Sequence, residues 1–99
     1  MNIGSTEFLE ILAKPGRYAL LERGAPIGRL KRDFISIKEA DGTDIDLRDD
    51  RGRRYIPELP RIILDDFLRA SFACEAGKGP EHSLIFKLTS DGLKRGRAN

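Results

Sequence analysis

The feature that most constrains this sequence is a pair of alternating segments on either side of an Asp-Gly turn. Residues 34–38 and residues 44–48 each alternate apolar and polar side chains, and the dipeptide Asp41-Gly42 lies between them. Alternation that flanks Asp-Gly is the strongest short-range signal for a β-hairpin. We therefore predict that the two segments form antiparallel strands.

The register of this hairpin follows from which side chains must share a face. A two-residue loop would place Ile37 opposite an aspartate and mix the two faces. A three-residue loop, with Gly42 in a left-handed conformation, pairs Ile37 with Ile45 on one face and Lys38 with Asp44 on the other. Because a slip of one residue moves every side chain to the opposite face, the sequence predicts the three-residue loop.

A second turn of the same kind follows at residues 50–52, where an aspartate and an arginine precede glycine. The same pairing rule sets Asp49 opposite Arg53 and Leu47 opposite Tyr55. The sequence therefore predicts a three-stranded antiparallel meander, apolar on one face and charged on the other. We expect this meander to be the centre of the fold.

Two helices are predicted around it. A short helix starts at residues 5–7, where hydroxyl and acidic side chains suit a helix N-terminus, and it ends at Pro15-Gly16. A longer helix, at about residues 61–75, follows Pro60 and carries apolar side chains at helical spacing. Gly77 is its expected stop.

Three further strands are predicted. Residues 17–22 and 27–31 are candidate strands, and Pro26 at the start of the second places it at a sheet edge. Alternation is poor in the first, so the sequence leaves open whether these two join the central sheet. Residues 82–89 alternate clearly and form the last predicted strand.

The predicted architecture is a single α+β domain over residues 1–99. Its antiparallel meander has four to six short strands and forms either an open sheet or a partly closed barrel. A short N-terminal helix and the longer helix at about residues 61–75 pack on the sheet. Residues 93–99 are predicted to be a flexible basic tail.

Composition limits the function classes. The net charge is +2, but residues 1–50 carry 8 basic and 10 acidic side chains while residues 51–99 carry 10 and 6, which permits an anionic partner for the second half. The lone Cys74 allows no intrachain disulfide and fits a reducing compartment. No signal peptide or membrane span is evident, so we expect a cytoplasmic protein without a membrane partner.

Patterns that would indicate catalysis, a cofactor or a metal fail when their spacing is tested. His82 is the only histidine, and the aspartates between residues 41 and 50 do not follow the EF-hand spacing. Lys38, Arg48 and Arg53 are expected to neutralise these acids. The Gly-Lys-Gly of residues 77–79 lacks the remainder of a phosphate-binding loop. We expect no catalytic, cofactor or metal site.

One stretch resembles a known family. Residues 84–92, which follow a helix and a glycine-rich turn, resemble the last wing strand of winged-helix DNA-binding domains. The resemblance implies that the helix at 61–75 reads the major groove, with Arg61 and Arg69 as contacts and Lys78 in the wing. The chain departs from that family because a strand meander stands where two helices should precede the reading helix.

Basic clusters complete the candidate sites. A basic turn and a basic C-terminal tail could contact phosphates, in addition to the winged-helix positions. The candidate nucleic-acid contacts are Arg51, Arg53, Arg54, Arg61, Arg69, Lys78, Lys94, Arg95 and Arg97.

Two functions remain open at this point. The leading expectation is a small non-catalytic interaction domain that binds an unidentified protein or itself through a free sheet edge, with Ile85 as an apolar point on that surface. The alternative is a nucleic-acid-binding protein, winged-helix-like or small-barrel-like, that contacts phosphates through basic loops and the tail.

Overall fold

The computed structural model of the protein describes residues 4–98 and shows an open antiparallel sheet with helices on one face. The elements are α1 (Ser5–Leu12), β1 (Tyr18–Ile27), β2 (Leu30–Lys38), β3 (Leu47–Arg48), β4 (Arg54–Tyr55), α2 (Arg61–Arg69), β5 (Ala73–Lys78), β6 (Leu84–Leu88) and α3 (Ser90–Arg97). The main sheet has the order β2-β1-β6-β5, and β3 and β4 form a separate pair. The predicted α+β class with an antiparallel sheet is confirmed, and the sheet is not closed into a barrel.

The centre of the sheet is β1, which is hydrogen-bonded to β2 on one side and to β6 on the other. Its adjacent residues Leu20 and Leu21 are 7% and 1% exposed, so both faces of the strand are covered. A strand that is buried on both faces has a continuous run of apolar residues in its sequence rather than an alternating pattern. The poor alternation of this segment therefore marks its central position.

The two predicted turns have the expected register, but the predicted three-stranded meander does not form. Residues 34–38 pair with β1 and meet the 44–48 segment at a single bridge, and β3 and β4 form a separate sheet. Lys38 bridges Asp44, and Leu47 pairs with Tyr55, as predicted. The ladder between β3 and β4 is only two residues long, however, and the expectation that it forms the centre is wrong. The backbone N–H of Leu59 donates to the Ile35 carbonyl at 2.9 Å, so the proline-containing segment before α2 occupies the edge of β2.

The long helix is shorter than predicted, and an unexpected strand follows it. Helix α2 ends at Arg69 rather than near residue 75, because Ser71 adopts a left-handed conformation (φ 61°) and the chain turns back on itself. Glycine is the usual residue at such a stop, so the sequence carried no signal there. Ala73–Lys78 then form β5, the edge strand beside β6, and Gly77 follows a bulge in this strand.

The predicted flexible tail is wrong over residues 93–97, which belong to α3, and Asn99 lies outside the described residues. Thr89 caps the helix by accepting a hydrogen bond from the Gly92 N–H at 3.2 Å. Gly92 and Gly96 are buried, and they allow the backbone of α3 to lie directly on its neighbours. A Cβ atom on Gly96 would be 2.6 Å from the Leu9 carbonyl oxygen of α1. Glycines that look like helix breakers are here the contact surface.

The hydrophobic core lies between the sheet and the helices. Helix α1, which confirms the predicted short N-terminal helix, contributes Phe8, Leu9 and Leu12, and α2 contributes Leu64 and Phe67. The sheet and the loops contribute Ala19, Leu21, Ile35, Ile37, Ile45, Leu59, Ala73 and Phe86. None of the helices within residues 4–98 is long and apolar enough to cross a membrane.

The close approach of α3 to α1 leads to a stability prediction. In an exposed helix, replacement of glycine by alanine stabilises by up to about 1 kcal/mol. Gly96→Ala should instead destabilise the protein by about 1–3 kcal/mol, because the new methyl group meets backbone that cannot move aside. This corresponds to a fall in Tm of about 5–20 °C, which thermal denaturation followed by circular dichroism measures.

The matched control is Ser90→Ala, an exposed position on the same helix. Its Tm should stay close to that of the parent protein. A Gly96→Ala variant that melts at or above the parent temperature would contradict the packing of α3 on α1.

Candidate nucleic-acid interface

The most prominent surface feature is a two-stranded arm that extends beyond the sheet. Strand β6 pairs with β1 only at residues 19–21, whereas β2 pairs with β1 as far as Ile27. Residues 22–34, which we call the arm, are therefore hydrogen-bonded mainly to each other. A bulge between Glu22 and Ala25 marks the base, and Gly28 (φ 63°) opens the two-residue turn at the tip. Five residues of strand make the arm ~16 Å long.

The arm carries four basic side chains between two acids at its base, Glu22 and Asp33. Arg23, Arg29, Lys31 and Arg32 lie in a run of ten residues that contains no acid, and all four are exposed. Three of them form no ion pair with any carboxylate of the described residues, the exception being Arg32. The arm therefore presents three cations without a paired carboxylate among the described residues, and one of them, Arg23, lines a cleft with Glu22 and Glu81.

The base of the arm is attached to the rest of the molecule by two polar contacts. Arg32 donates two hydrogen bonds to the Glu58 carboxylate, at 2.5 and 2.8 Å, and these bonds raise the pKa of the guanidinium above its usual value. The Asp33 carboxylate accepts the Gly24 N–H at 3.2 Å and lies 3.9 Å from Arg61 of α2. These contacts hold the base of the arm beside α2 and leave the tip in solvent.

The predicted contacts in the basic turn are largely neutralised by acids. Arg53 pairs with Asp49 at 3.0 Å, and Arg54 lies 3.7 Å from Asp46. Only Arg51, at the exposed tip of the turn, forms no ion pair within the part of the chain that the structure describes. This turn is therefore a weak site for phosphate.

The winged-helix resemblance implies that α2 reads the groove, but the two arginines predicted to make its contacts are also paired with acids. Arg61 pairs with Asp65 at 3.1 Å, and Arg69 pairs with Asp66. One helix and four strands, β1 to β4, precede α2, so the succession of helices that defines a winged helix is not the arrangement found in residues 4–98. The role of α2 as a groove reader stays a prediction.

The C-terminal candidates form a second basic surface. Lys94, Arg95 and Arg97 are exposed on α3 and form no ion pair with the described carboxylates, and Lys14 lines the same cleft as Arg97. Lys78 is exposed on β5, also without a paired acid among residues 4–98. We keep these four predicted residues as candidate contacts, with the charged face of α3 as their main group.

The arm and α3 lie at opposite ends of the sheet. Arg97 lines a cleft with Arg17, the residue that immediately precedes β1. The arm begins at Glu22 and continues away from that end of the strand. The structure therefore places most of the unpaired cations on two separate surfaces, with Arg51 and Lys78 outside both, and does not gather the nine predicted residues into one site.

Sequence reasoning missed the arm, although a signal was present. The four basic residues between residues 23 and 32 are the largest group of basic residues in the chain that no acid interrupts. The turn was assigned to residues 23–26 instead of Gly28-Arg29, which divided this stretch between a loop and a strand. Its charge was therefore not recognised as one surface.

The acids and the other chemistry-bearing residues are accounted for by local contacts. The Lys38–Asp44 ion pair (2.6 Å), Arg48–Asp46 and Arg53–Asp49 confirm that three of the five aspartates between residues 41 and 50 are neutralised by the expected neighbours. Within residues 4–98, no group of His, Cys, Asp and Glu has the geometry to hold a metal ion. Cys74 lies within the range predicted for the longer helix, but it is exposed on the edge strand β5.

Comparison of the chain with protein-family models, with curated proteins and with solved structures gives no significant match. The assignment of a function therefore depends on the geometry and the charge distribution of the described residues.

The basic turn supports a prediction about pH. Asp49 accepts backbone hydrogen bonds from Arg53 and Arg51, both at 2.9 Å, and these bonds together with the Arg53 side chain hold the pKa of the carboxyl below its ordinary value. A carboxyl whose pKa is lower in the folded protein stabilises the fold above the unfolded-state pKa of about 3.9, and this stabilisation is lost as the pH falls through the folded-state value. Asp49→Asn should therefore flatten the acid limb of the stability profile.

Urea denaturation at a series of pH values between about 2 and 6 measures this slope, since that interval includes the unfolded-state pKa. The control is Asp50→Asn, whose carboxyl forms no ion pair with the described residues and should leave the slope close to that of the parent. Equal slopes for the parent and for Asp49→Asn would mean that these hydrogen bonds do not favour the ionised carboxylate.

Proposed function

We propose that this protein is a non-catalytic domain that binds nucleic acid. The observation that carries the proposal is the distribution of its unpaired cations. Within residues 4–98, 8 of the 18 lysines and arginines form ion pairs with acids, and these lie between residues 17 and 69. The remaining basic side chains concentrate on the arm and on α3. Phosphate binding requires such cations, because a cation already paired with a carboxylate gains little from a second anion.

The alternative, strand addition at a free sheet edge, has weaker support. The free edge of the sheet is β5, which carries Glu75 and Lys78 and contains a bulge. Charged side chains and bulges on an edge strand disfavour the addition of another strand. The other edge, along β2, already accepts a hydrogen bond from Leu59 and one from Ile45. Ile85 is only partly exposed, on the face of β6 away from the core. Binding of a protein partner stays a prediction.

The proposal predicts binding that weakens steeply with salt. Because the arm and α3 lie at opposite ends, one site should use about three phosphate contacts, which corresponds to a log–log slope near −2.7 on duplex DNA. Affinity should therefore fall by about 40-fold between 50 and 200 mM salt. Fluorescence anisotropy of labelled duplex DNA, duplex RNA and single-stranded RNA measures this.

The control removes three cations that are already paired. The triple variant Arg48→Gln, Arg54→Gln, Arg69→Gln changes the net charge as much as the loss of one basic surface would, but each of these arginines contacts an aspartate. It should bind nearly as well as the parent. Failure of the parent protein to bind any of the three nucleic acids at 50 mM salt, or binding that is independent of salt, would contradict the proposal.

A further inference from the structure

We propose that the arm enters the major groove of B-form duplex DNA and that Leu30 at its tip contacts the base edges. This inference rests on the proposed function and names the element and the class of nucleic acid. It follows from the shape of the arm, from the spacing of its cations and from an apolar side chain that the fold leaves exposed.

The shape of the arm matches a groove of duplex DNA. Beyond Glu22 the arm consists of two antiparallel strands with no third strand beside them. The major groove of B-DNA is about 12 Å wide and about 8.5 Å deep and admits a two-stranded ribbon. An arm of ~16 Å is long enough to reach the floor of the groove while its base remains outside.

The cations are distributed from the base of the arm to its tip. Arg23 lies at the bulge, Lys31 lies in the strand and Arg29 lies in the turn. A ribbon inserted into a groove has a phosphate backbone on each side along its whole length. Cations placed at three levels can therefore meet phosphates on the groove walls. The fourth, Arg32, is held by Glu58 and fixes the base of the arm.

The tip carries an apolar side chain that nothing in the fold covers. Leu30 is 68% exposed and directly follows the turn residue Arg29. An exposed leucine at the end of a basic projection has a natural contact in the major groove, where the methyl group of thymine is the apolar feature of the base edges. Leu30 would then be the residue of the arm that touches bases.

The same geometry argues against other nucleic acids as the preferred partner. The major groove of an A-form RNA duplex is too deep and narrow for side chains to read. A single strand offers no groove, so only the cations and not the ribbon shape would contribute. The arm therefore predicts that duplex DNA binds more tightly than duplex RNA of the same sequence.

The test compares three variants of the full chain by fluorescence anisotropy on a 20-base-pair DNA duplex, an RNA duplex of the same sequence and the single DNA strand. The arm variant is Arg23→Gln, Arg29→Gln, Lys31→Gln. The helix variant is Lys94→Gln, Arg95→Gln, Arg97→Gln. The tip variant is Leu30→Ser, which changes an exposed position and should leave Tm unchanged.

We expect the arm variant to lose at least about tenfold in affinity for the DNA duplex and to make the salt slope less negative by about 2.7. The tip variant should lose about fivefold on the DNA duplex with the salt slope unchanged, because it removes an apolar contact and no phosphate contact. The helix variant should retain most of the duplex affinity.

The outcomes separate this inference from the proposed function. If the parent binds and the helix variant loses affinity while the arm variant does not, the proposed function stands and the arm inference is wrong. If the arm variant loses equally on DNA duplex, RNA duplex and single strand, groove insertion is wrong. A tip variant equal to the parent on the DNA duplex removes Leu30 from the interface. A parent that binds no nucleic acid overturns the proposed function and this inference together.

Discussion

The fold depends on hydrogen bonding along both edges of β1. Ala19 and Leu21 are each 1% exposed, and they face the core between the inward side chains of β2 and β6. The paired residues of β1 and β6 are more than sixty positions apart in the sequence, so this pairing brings the two ends of the chain together. Removal of this pairing would separate the hairpin that contains the arm from the half of the sheet that carries β5.

The antiparallel pairing of β1 with β6 also explains why the C-terminal residues fold. In an antiparallel pair the start of one strand lies beside the end of the other. Helix α1 leads into β1 and α3 follows β6, so the two helices meet at the same end of the sheet. The glycines of α3 then allow its backbone to approach Leu9 and Ala13 closely. A segment with low helix propensity becomes ordered because a partner is already in place.

The electrostatics of the surface follow from the same topology. Exposed ion pairs contribute little to stability, but they determine which cations remain able to bind an anion. The turns and α2 place arginines and aspartates side by side, so their charges cancel locally. The arm contains no acid between residues 23 and 32, and α3 has one acid in its first turn and its basic residues in the last. Six of the ten basic residues without an ion pair in the described part of the chain therefore lie on the arm and on α3.

Local sequence signals determined the short-range structure of this protein. The alternation around Gly42 and Gly52 predicted the pairing of Lys38 with Asp44 and of Leu47 with Tyr55, because register depends on which neighbouring side chains share a face. The α1 helix, the start of α2 and strand β6 were also predicted from local signals, namely capping residues, helical spacing and alternation. Each depends on residues only a few positions apart.

Only the tertiary structure decided which strand is central, where α2 ends and whether the C-terminal segment folds. The adjacent leucines of β1 and the glycines of α3 are weak signals by themselves, and each gains its structure from a partner distant in the sequence. The alanine and glycine of β5 are also weak signals, and β5 gains its structure from pairing with β6. The tertiary structure also decided which basic residues remain unpaired, since Arg32 forms its ion pair with Glu58, which is 26 residues away in the sequence. Side-chain periodicity is a local property, whereas the burial of both faces of a strand and the pairing of distant charges exist only once the chain is folded.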